Sequence, residues 1–155
     1  MYQPQRLDWA NAGHEMTRRS LADWMLAAEA LVLLAAFRVA LACVPVRRIL
    51  ASVARRATEE APDGEEANQT RTTARRVQWA VHAAVRHSPV EFVCFPQALT
   101  GYTMLRRRGV PSTVVYGVAR SPEGELVAHT WLMSGEQMVL GGDAAREFTE
   151  IERWT

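Results

Sequence analysis

The chain contains no lysine, only two cysteines and few aromatic residues. All 18 basic residues are arginine, and 17 acidic residues bring the formal net charge to +1. A balance this even gives no general attraction to nucleic acid or to an anionic membrane. The 155 residues, 48% of them hydrophobic, predict one domain with a core of ordinary size that needs neither metals nor disulfides.

The two cysteines, Cys43 and Cys94, lie in segments of different character, one in an apolar helix and one where a helix begins. We therefore expect no disulfide between them. The first residues of the chain are polar and lack the basic-then-apolar layout of a secretory signal. Few cysteines and no such signal predict a protein of the reducing cytoplasm.

A long uncharged hydrophobic run is also absent. The most apolar segment, residues 21–44, is interrupted by Asp23, Glu29 and Arg38, and its uncharged stretches fall short of the run of about 18 residues that a spanning helix shows. Its composition predicts a helix with Ser20 as its N-cap, buried on most sides. Contact with a membrane surface or with a partner protein is the alternative interpretation.

The distribution of helix, strand and turn signals predicts three parts. Residues 1–57 form an N-terminal helical region for docking a partner or substrate, residues 58–70 an acidic linker, and residues 71–155 the chemical core. In the core, one helix fills residues 71–87 and a second begins at Cys94. Helices first and an antiparallel sheet last make the fold class α+β. The predicted strands are residues 113–118, 126–133 and 137–140.

Cys94 is the first candidate for chemistry, because it stands at a helix N-terminus. Unpaired N–H groups and the helix dipole favour negative charge there and lower the pKa of a thiol. The same N–H groups could donate to an oxyanion, as acyl transfer requires. The alternative is a small buried cysteine that serves only packing.

His129 is the second candidate. It lies in the middle of an apolar strand, where an imidazole needs a partner to offset its desolvation. His14 lies in the N-terminal arm, and His82 and His87 are expected at the solvent edge of a helix. A cysteine at a helix start together with a histidine on a strand is the arrangement that a nucleophile and its base require.

The acid that would orient His129 depends on strand register. A three-residue loop beginning at Ser134 pairs residue 129 with residue 141 and brings Asp143 to the face of the histidine. A two-residue loop pairs residue 129 with residue 140 and turns Asp143 away. The further acidic candidates, expected as solvated charges of a C-terminal tail, are Glu147, Glu150 and Glu152.

Motifs for other chemistry are missing. The sequence has no compact Cys-x-x-Cys or His-x-x-x-His spacing for zinc and no glycine-rich phosphate loop. Arg106, Arg107 and Arg108 are too short a run for a nucleic-acid surface and suit a helix C-terminus instead. We therefore expect no metal, no cofactor and no nucleic-acid partner.

Several linked motifs follow one another in the second half of the chain. They are Cys94-Phe-Pro-Gln-Ala-Leu99, Met104-Leu-Arg-Arg-Arg-Gly-Val-Pro111, Tyr116-Gly-Val118, Ala128-His-Thr-Trp131 and Val139-Leu-Gly-Gly142. Together they resemble a known family, the lasso-peptide leader peptidases, which are cysteine peptidases of the transglutaminase-like superfamily. The resemblance covers the chain from about Val77 to its C-terminus. It implies a papain-like core in which a catalytic helix packs on a small antiparallel sheet.

By this resemblance Cys94 is the nucleophile and His129 the base. The acid of the family tends to fall near position 141, where this chain has Gly141, so Asp143 becomes a displaced candidate. The implied substrate is a ribosomally synthesised precursor peptide, cut after the end of its leader. An asparagine-synthetase-like cyclase would then close the core peptide into a macrolactam. A separate RiPP recognition element protein would present the leader, since only about 20 residues precede the first helix.

Two other functions share these residues. One is a non-catalytic module of a peptide-maturation complex, in which Cys94 is structural and the apolar helix docks a partner. The other is acyl transfer to an amine rather than to water, which uses the same cysteine and histidine.

Overall fold

The computed structural model describes residues 20–45, 48 and 65–155. They form three α-helices and a four-stranded antiparallel sheet, with a short 3-10 helix before the last strand, so the predicted α+β class is confirmed. The N-terminal arm and most of the predicted acidic linker lie outside the described residues. The elements are α1 (Leu21–Cys43), α2 (Glu65–His87), α3 (Cys94–Arg106), β1 (Thr113–Arg120), β2 (Leu126–Ser134), β3 (Gln137–Leu140), the 3-10 helix (Asp143–Glu147) and β4 (Thr149–Trp154).

The sheet has the strand order β3-β2-β1-β4, and β1 and β2 pair along their whole length, from Thr113 opposite Met133 to Arg120 opposite Leu126. Helix α3 packs against the sheet, α2 contacts α3 and the strand β3, and α1 packs on α2 and α3. One main core contains buried side chains of all three helices and of the sheet, including Leu34 of α1, Val77 of α2, Leu105 of α3, Val114 of β1 and Leu132 of β2.

Two elements differ from the predicted boundaries. Helix α2 begins at Glu65 rather than at residue 71. Its first turns are largely exposed and carry no apolar pattern, so periodicity does not reveal them. Acidic residues in the first turn stabilise the helix there through its dipole. Strand β4 replaces the predicted C-terminal tail. It is an edge strand that pairs with β1 and exposes Thr149–Arg153 on both faces, so the alternation that marks a half-buried strand is missing.

Helix α1 is far more exposed than predicted. Its N-cap is as expected, since the Ser20 hydroxyl accepts a hydrogen bond from the amide of Asp23. The expectation of burial on most sides is wrong: only Ala27, Ala30 and Leu34 are buried. By length and composition α1 is long and apolar enough to cross a membrane: its most apolar 18 residues have a mean hydropathy of 2.1, and 17% of them are buried. Core helices of soluble proteins and signal sequences can have the same length and composition.

The charged residues of α1 face the rest of the domain. Asp23 accepts hydrogen bonds of 3.0 and 3.1 Å from Arg76 of α2, and Glu29 pairs with Arg108 at the end of α3 at 2.6 Å. Arg38 donates to a backbone carbonyl just before α3. These contacts attach α1 to both neighbouring helices. Asp23 and Glu29 thus point toward the neighbouring helices, while apolar side chains such as Met25 and Val32 are exposed on the outer side of α1.

Replacement of Leu34 by Ala tests this packing. Leu34 is fully buried, and we expect its truncation to lower the free energy of unfolding by about 2–5 kcal/mol, because it removes apolar contacts and leaves a cavity. The matched control is Val32→Ala on the same helix, where the side chain is 68% exposed and the change should stay within about 0.5 kcal/mol. Urea unfolding measures both. Equal effects would contradict the packing of α1.

Candidate active site

Helix α3 begins at Cys94 beside strand β2. Its N-cap, Val93, is extended and provides no side-chain hydrogen bond to the first turn. Pro96 lies in that turn, as predicted, where its missing N–H costs nothing. Gln97 donates a 2.6 Å hydrogen bond to the carbonyl of Phe92, which fixes the segment that enters the helix. The first turn therefore presents backbone N–H groups without a side-chain cap next to the half-buried thiol.

The close approach of α3 to the sheet depends on Gly101. A β carbon at this position would come within 2.5 Å of Leu140 and 2.7 Å of Leu132, both of them buried. A larger residue would move the helix outward or displace these side chains. Gly101 thus sets the distance between α3 and β2, and with it the position of Cys94 above the strand.

His129 lies on β2, as predicted, and two aromatic rings lie next to its imidazole. The indole of Trp131 stacks on it with ring centroids 6.1 Å apart and planes 23° apart, while Phe148 contacts it at 5.1 Å. Trp131 in turn covers Gly117 of β1, where a β carbon would come within 2.7 Å of the indole. The imidazole is half-buried and confined to one orientation by these neighbours.

A backbone carbonyl fixes the tautomer of His129. Its Nε2 lies 2.9 Å from the carbonyl oxygen of Gly141. Because a carbonyl only accepts, Nε2 must carry the proton, and Nδ1 is left for the thiol. Gly141 has a φ of +109°, and a β carbon there would overlap the Cβ of Trp131. Only glycine fits this position.

Cys94 and His129 are hydrogen-bonded to each other. Burial raises the pKa of the Cys94 thiol, but hydrogen bonds from the His129 ring and from the backbone N–H groups of Thr130 and Phe95 outweigh it, so the pKa lies below its ordinary value. The bond with Cys94 raises the pKa of His129; burial opposes this rise and the Gly141 carbonyl supports it. Both shifts favour a thiolate beside an imidazolium.

The hairpin after His129 has neither of the two predicted registers. Gly135 and Glu136 form the turn, Ser134 pairs with Gln137, and a bulge then places Leu132 opposite Leu140. Because β3 contains one extra residue at the bulge, Leu140 lies opposite Leu132 and not opposite Trp131. After Leu140 the chain leaves the sheet edge through two glycines with positive φ and crosses the face that carries His129.

The 3-10 helix that follows starts at Asp143, two residues after the carbonyl that accepts from His129. The role of Asp143 as the acid stays a prediction. The other acidic candidates are exposed: Glu147 ends the 3-10 helix, while Glu150 and Glu152 lie on β4 and Glu150 pairs with Arg153.

The remaining candidates lie apart from this site. Cys43 and Cys94 are both free, with Cys43 exposed at the end of α1. His82 and His87 are exposed on α2, as expected. Within residues 20–45, 48 and 65–155, no group of three or more His, Cys, Asp and Glu side chains is arranged to hold a metal ion.

The sequence model of the transglutaminase-like superfamily matches residues 31–153, which include Cys94, His129 and all four strands except the last residue of β4. The chain belongs to the transglutaminase-like superfamily. Its members are usually cysteine-dependent enzymes, and the resemblance inferred from the sequence motifs is thus confirmed at the level of the superfamily. No curated protein and no solved structure matches the chain.

Three residues of the site were not predicted in their structural roles. Trp131 could have been assigned to the face of His129, since residues two apart on a strand share a face. Phe148 reaches the imidazole only because the chain crosses beneath the sheet, which no local pattern indicates. The role of the Gly141 carbonyl has no side-chain signal in the sequence. The only indirect signal is the glycine itself, which allows the positive φ found there.

The pH dependence of alkylation tests the thiol–imidazole pair. Iodoacetamide reacts with the thiolate, which forms as the pH rises through the lowered pKa of Cys94. In a Cys43→Ser background we expect the rate of Cys94 labelling to have its inflection below the about pH 8.5 of an ordinary thiol. His129→Ala should move the inflection upward, because the largest stabilising hydrogen bond is lost. Mass spectrometry of the labelled peptide measures the rate.

Replacement of Gly141 by Ala tests the carbonyl that orients His129. The new side chain cannot fit beside Trp131, so the carbonyl must move and the inflection should shift toward that of a free thiol, with about a tenfold change in thiolate fraction per pKa unit. Gly142→Ala is the matched control, because it shares a positive φ of 63° but has open space around its β carbon. Similar alkylation curves for the two variants would contradict this role.

Proposed function

We propose that the protein is a cysteine peptidase that removes the leader from a lasso-peptide precursor. The observation that carries the proposal is the bonded pair of Cys94 and His129, held by the Gly141 carbonyl on the other ring nitrogen. Nucleophile, base and orienting acceptor thus stand in the order that covalent acyl transfer requires. Membership of a superfamily of mostly cysteine-dependent enzymes supports the same chemistry.

The proposed reaction proceeds in two steps. The Cys94 thiolate attacks the carbonyl carbon of the last leader residue, and the resulting oxyanion accepts hydrogen bonds from N–H groups at the start of α3. The His129 imidazolium donates its Nδ1 proton to the departing amine of the core peptide as the C–N bond breaks. The leader remains as a thioester on Cys94.

Neutral His129 then takes a proton from water through Nδ1, and the hydroxide attacks the thioester carbonyl. The C–S bond breaks, the leader leaves as a carboxylic acid that loses its proton to the solvent, and the Cys94 thiolate and His129 imidazolium are restored. The carbonyl of Gly141 accepts from Nε2 throughout. Nε2 therefore keeps its proton, and Nδ1 carries out both proton transfers. No metal or cofactor takes part in this scheme.

The assignment to lasso-peptide maturation rests on the linked motifs around Cys94, His129 and Gly142. It implies a precursor peptide as substrate, a separate RiPP recognition element protein that presents the leader, and an asparagine-synthetase-like cyclase that uses the new amine. It also implies a cytoplasmic site of action, where the precursor is made. The exposed apolar side of α1 is available for contact with such partners.

Asp143 is the proposed third member of the site. It directly follows the two glycines of the turn that delivers the carbonyl to His129. Since that carbonyl already accepts from Nε2, we propose that Asp143 acts as an additional stabiliser of the imidazolium and is not the sole orienting group. A carboxylate in this role contributes less to the rate than the base does.

Three variants test the proposed function. Incubation of candidate precursor peptide with the protein, with and without a leader-binding partner, should release leader and core of the expected masses. Cys94→Ala should abolish release while its unfolding midpoint stays near that of the wild type. His129→Ala should lower the rate by about 10²–10⁴-fold, as loss of a general base does. Asp143→Asn should lower it less than His129→Ala.

The product masses also separate the rival functions. Full leader release by Cys94→Ala would exclude Cys94 as the nucleophile and leave a non-catalytic docking role. A leader joined to an added amine, in place of a leader with a free carboxylate, would identify acyl transfer rather than hydrolysis. A loss in Asp143→Asn as large as that in His129→Ala would make the carboxylate the principal partner of the imidazole.

A further inference from the structure

One side of α1 is apolar along its length and open to solvent. The exposed residues on this side follow one another at intervals of three and four, so they form one line on the helix surface. The larger side chains among them are 63–85% exposed. None of these side chains carries a charge or a hydrogen-bond donor. We call this line the outer strip, and it consists of Leu21, Met25, Ala28, Val32, Ala35 and Val39.

A stripe of positive charge runs along the neighbouring helix α2. Residues 67–90 contain four arginines and no acidic residue. Three of the four, Arg71, Arg75 and Arg86, are exposed, and none of the three forms an ion pair within the described part of the chain. Their spacing of four and then eleven residues places them on one face of the helix. We call these three the basic stripe, a local concentration of charge that the net charge of +1 does not reveal.

Two tryptophans connect the outer strip with the basic stripe. Trp24 of α1 contacts Trp79 of α2 edge to face, with ring centroids 5.9 Å apart, and its indole lies 5.8 Å from the ring of His87. Residues three or four apart are neighbours on a helix surface, so Trp24 adjoins Leu21 of the outer strip. By the same spacing Trp79 adjoins Arg75 of the basic stripe. The strip and the stripe therefore meet at this tryptophan pair, where Trp24 is partly exposed.

Helix α1 is held in the domain by its inner side. Leu34 is buried in the main core, and Glu29 pairs with Arg108 of α3. Asp23 pairs with Arg76 of α2. A helix that crosses a bilayer would have to break these contacts and carry two carboxylates into hydrocarbon, which is costly. A helix that lies flat on a bilayer keeps the contacts and inserts only its outer strip.

We propose that this surface binds an anionic lipid bilayer, with the outer strip inserted at the boundary between headgroups and acyl chains and the basic stripe on the anionic headgroups. The tryptophan pair between them has the composition typical of the membrane–water interface, because an indole combines an apolar body with a polar N–H. The cytoplasmic leaflet of a cell membrane carries such anionic lipids. This inference goes beyond the proposed peptidase function and does not depend on the chemistry at Cys94.

A protein partner fits this surface less well than a bilayer does. Helix α1 has 23 residues, so a strip about 10 Å wide along its length of about 34 Å covers about 340 Å². Each partner of a standard protein interface buries about 800 Å² and contributes hydrogen bonds, for which the outer strip has no side-chain donor. In a two-fold dimer the same surface meets itself, so a second copy offers no acidic group to the basic stripe.

Vesicle flotation with the full chain tests the proposal. Vesicles of pure phosphatidylcholine are compared with vesicles in which about one third of the lipid is phosphatidylglycerol, at low and at high salt. We expect binding to the anionic vesicles to be at least about tenfold tighter, and to weaken at about 0.5 M NaCl because salt screens the arginines. Absence of binding to the anionic vesicles, or equal binding to both kinds of vesicle, would overturn the proposal.

Two sets of variants test the strip and the stripe separately. Val32→Glu introduces a charge in the middle of the outer strip and should weaken vesicle binding at least about tenfold, while its control Ile151→Glu, at a side chain 61% exposed on β4, should not. The double variant Arg71→Gln with Arg75→Gln should weaken binding about 25-fold, about fivefold for each charge. Its control is Arg120→Gln at the end of β1. Wild-type binding by Val32→Glu or by the double variant would contradict the proposal.

Two further measurements identify folding failures and other occupants of the surface. The pH profile of Cys94 alkylation should be unchanged in every variant that folds, and Met25→Glu, at a side chain 73% exposed, replaces Val32→Glu if the latter loses this profile. Sedimentation velocity detects protein partners. A dimer of the chain, or a complex with a leader-binding protein, that Val32→Glu dissociates while the wild type leaves vesicles unbound would make the outer strip a protein interface and the proposal wrong.

Discussion

The hydrogen bond between His129 Nε2 and the carbonyl of Gly141, 2.9 Å long, is the contact on which the chemistry of this domain depends. It assigns the proton to one ring nitrogen and thereby turns the other toward Cys94. A carbonyl cannot take up that proton, so the tautomer is fixed by chemistry as well as by geometry. The bulge that ends β3, the two glycines after it and the passage of the chain beneath the sheet all serve to place this one oxygen.

The nucleophile reaches the same place by an independent route. Its helix begins without a side-chain cap, approaches the sheet closely at Gly101 and receives a backbone N–H from Thr130, so helix and strand both stabilise the charged form of the thiol. At its other end, Arg107 and Arg108 pair with Glu29 of α1. One rigid element thus joins the reactive thiol to the helix that carries the exposed apolar side of the molecule.

The sequence predicted most of this arrangement. Cys94 at a helix start, His129 on a strand and the boundaries of β3 followed from caps, periodicity and turn residues. The acid could not be assigned, because the register depended on a bulge, and a bulge leaves no mark in the side-chain pattern. Strand β4 was missed for a related reason, since a strand exposed on both faces has no alternation to detect. Long-range passage of the chain, and not local preference, decided both.

Trp131 lies between two glycines, its indole over Gly117 and its β carbon against Gly141, while its ring also supports His129. A side chain at either glycine would collide with Trp131. A smaller residue in place of this tryptophan would leave the imidazole of His129 without its stacking partner. The three positions are therefore bound to one another as a set. Among related sequences they should vary together or stay fixed together.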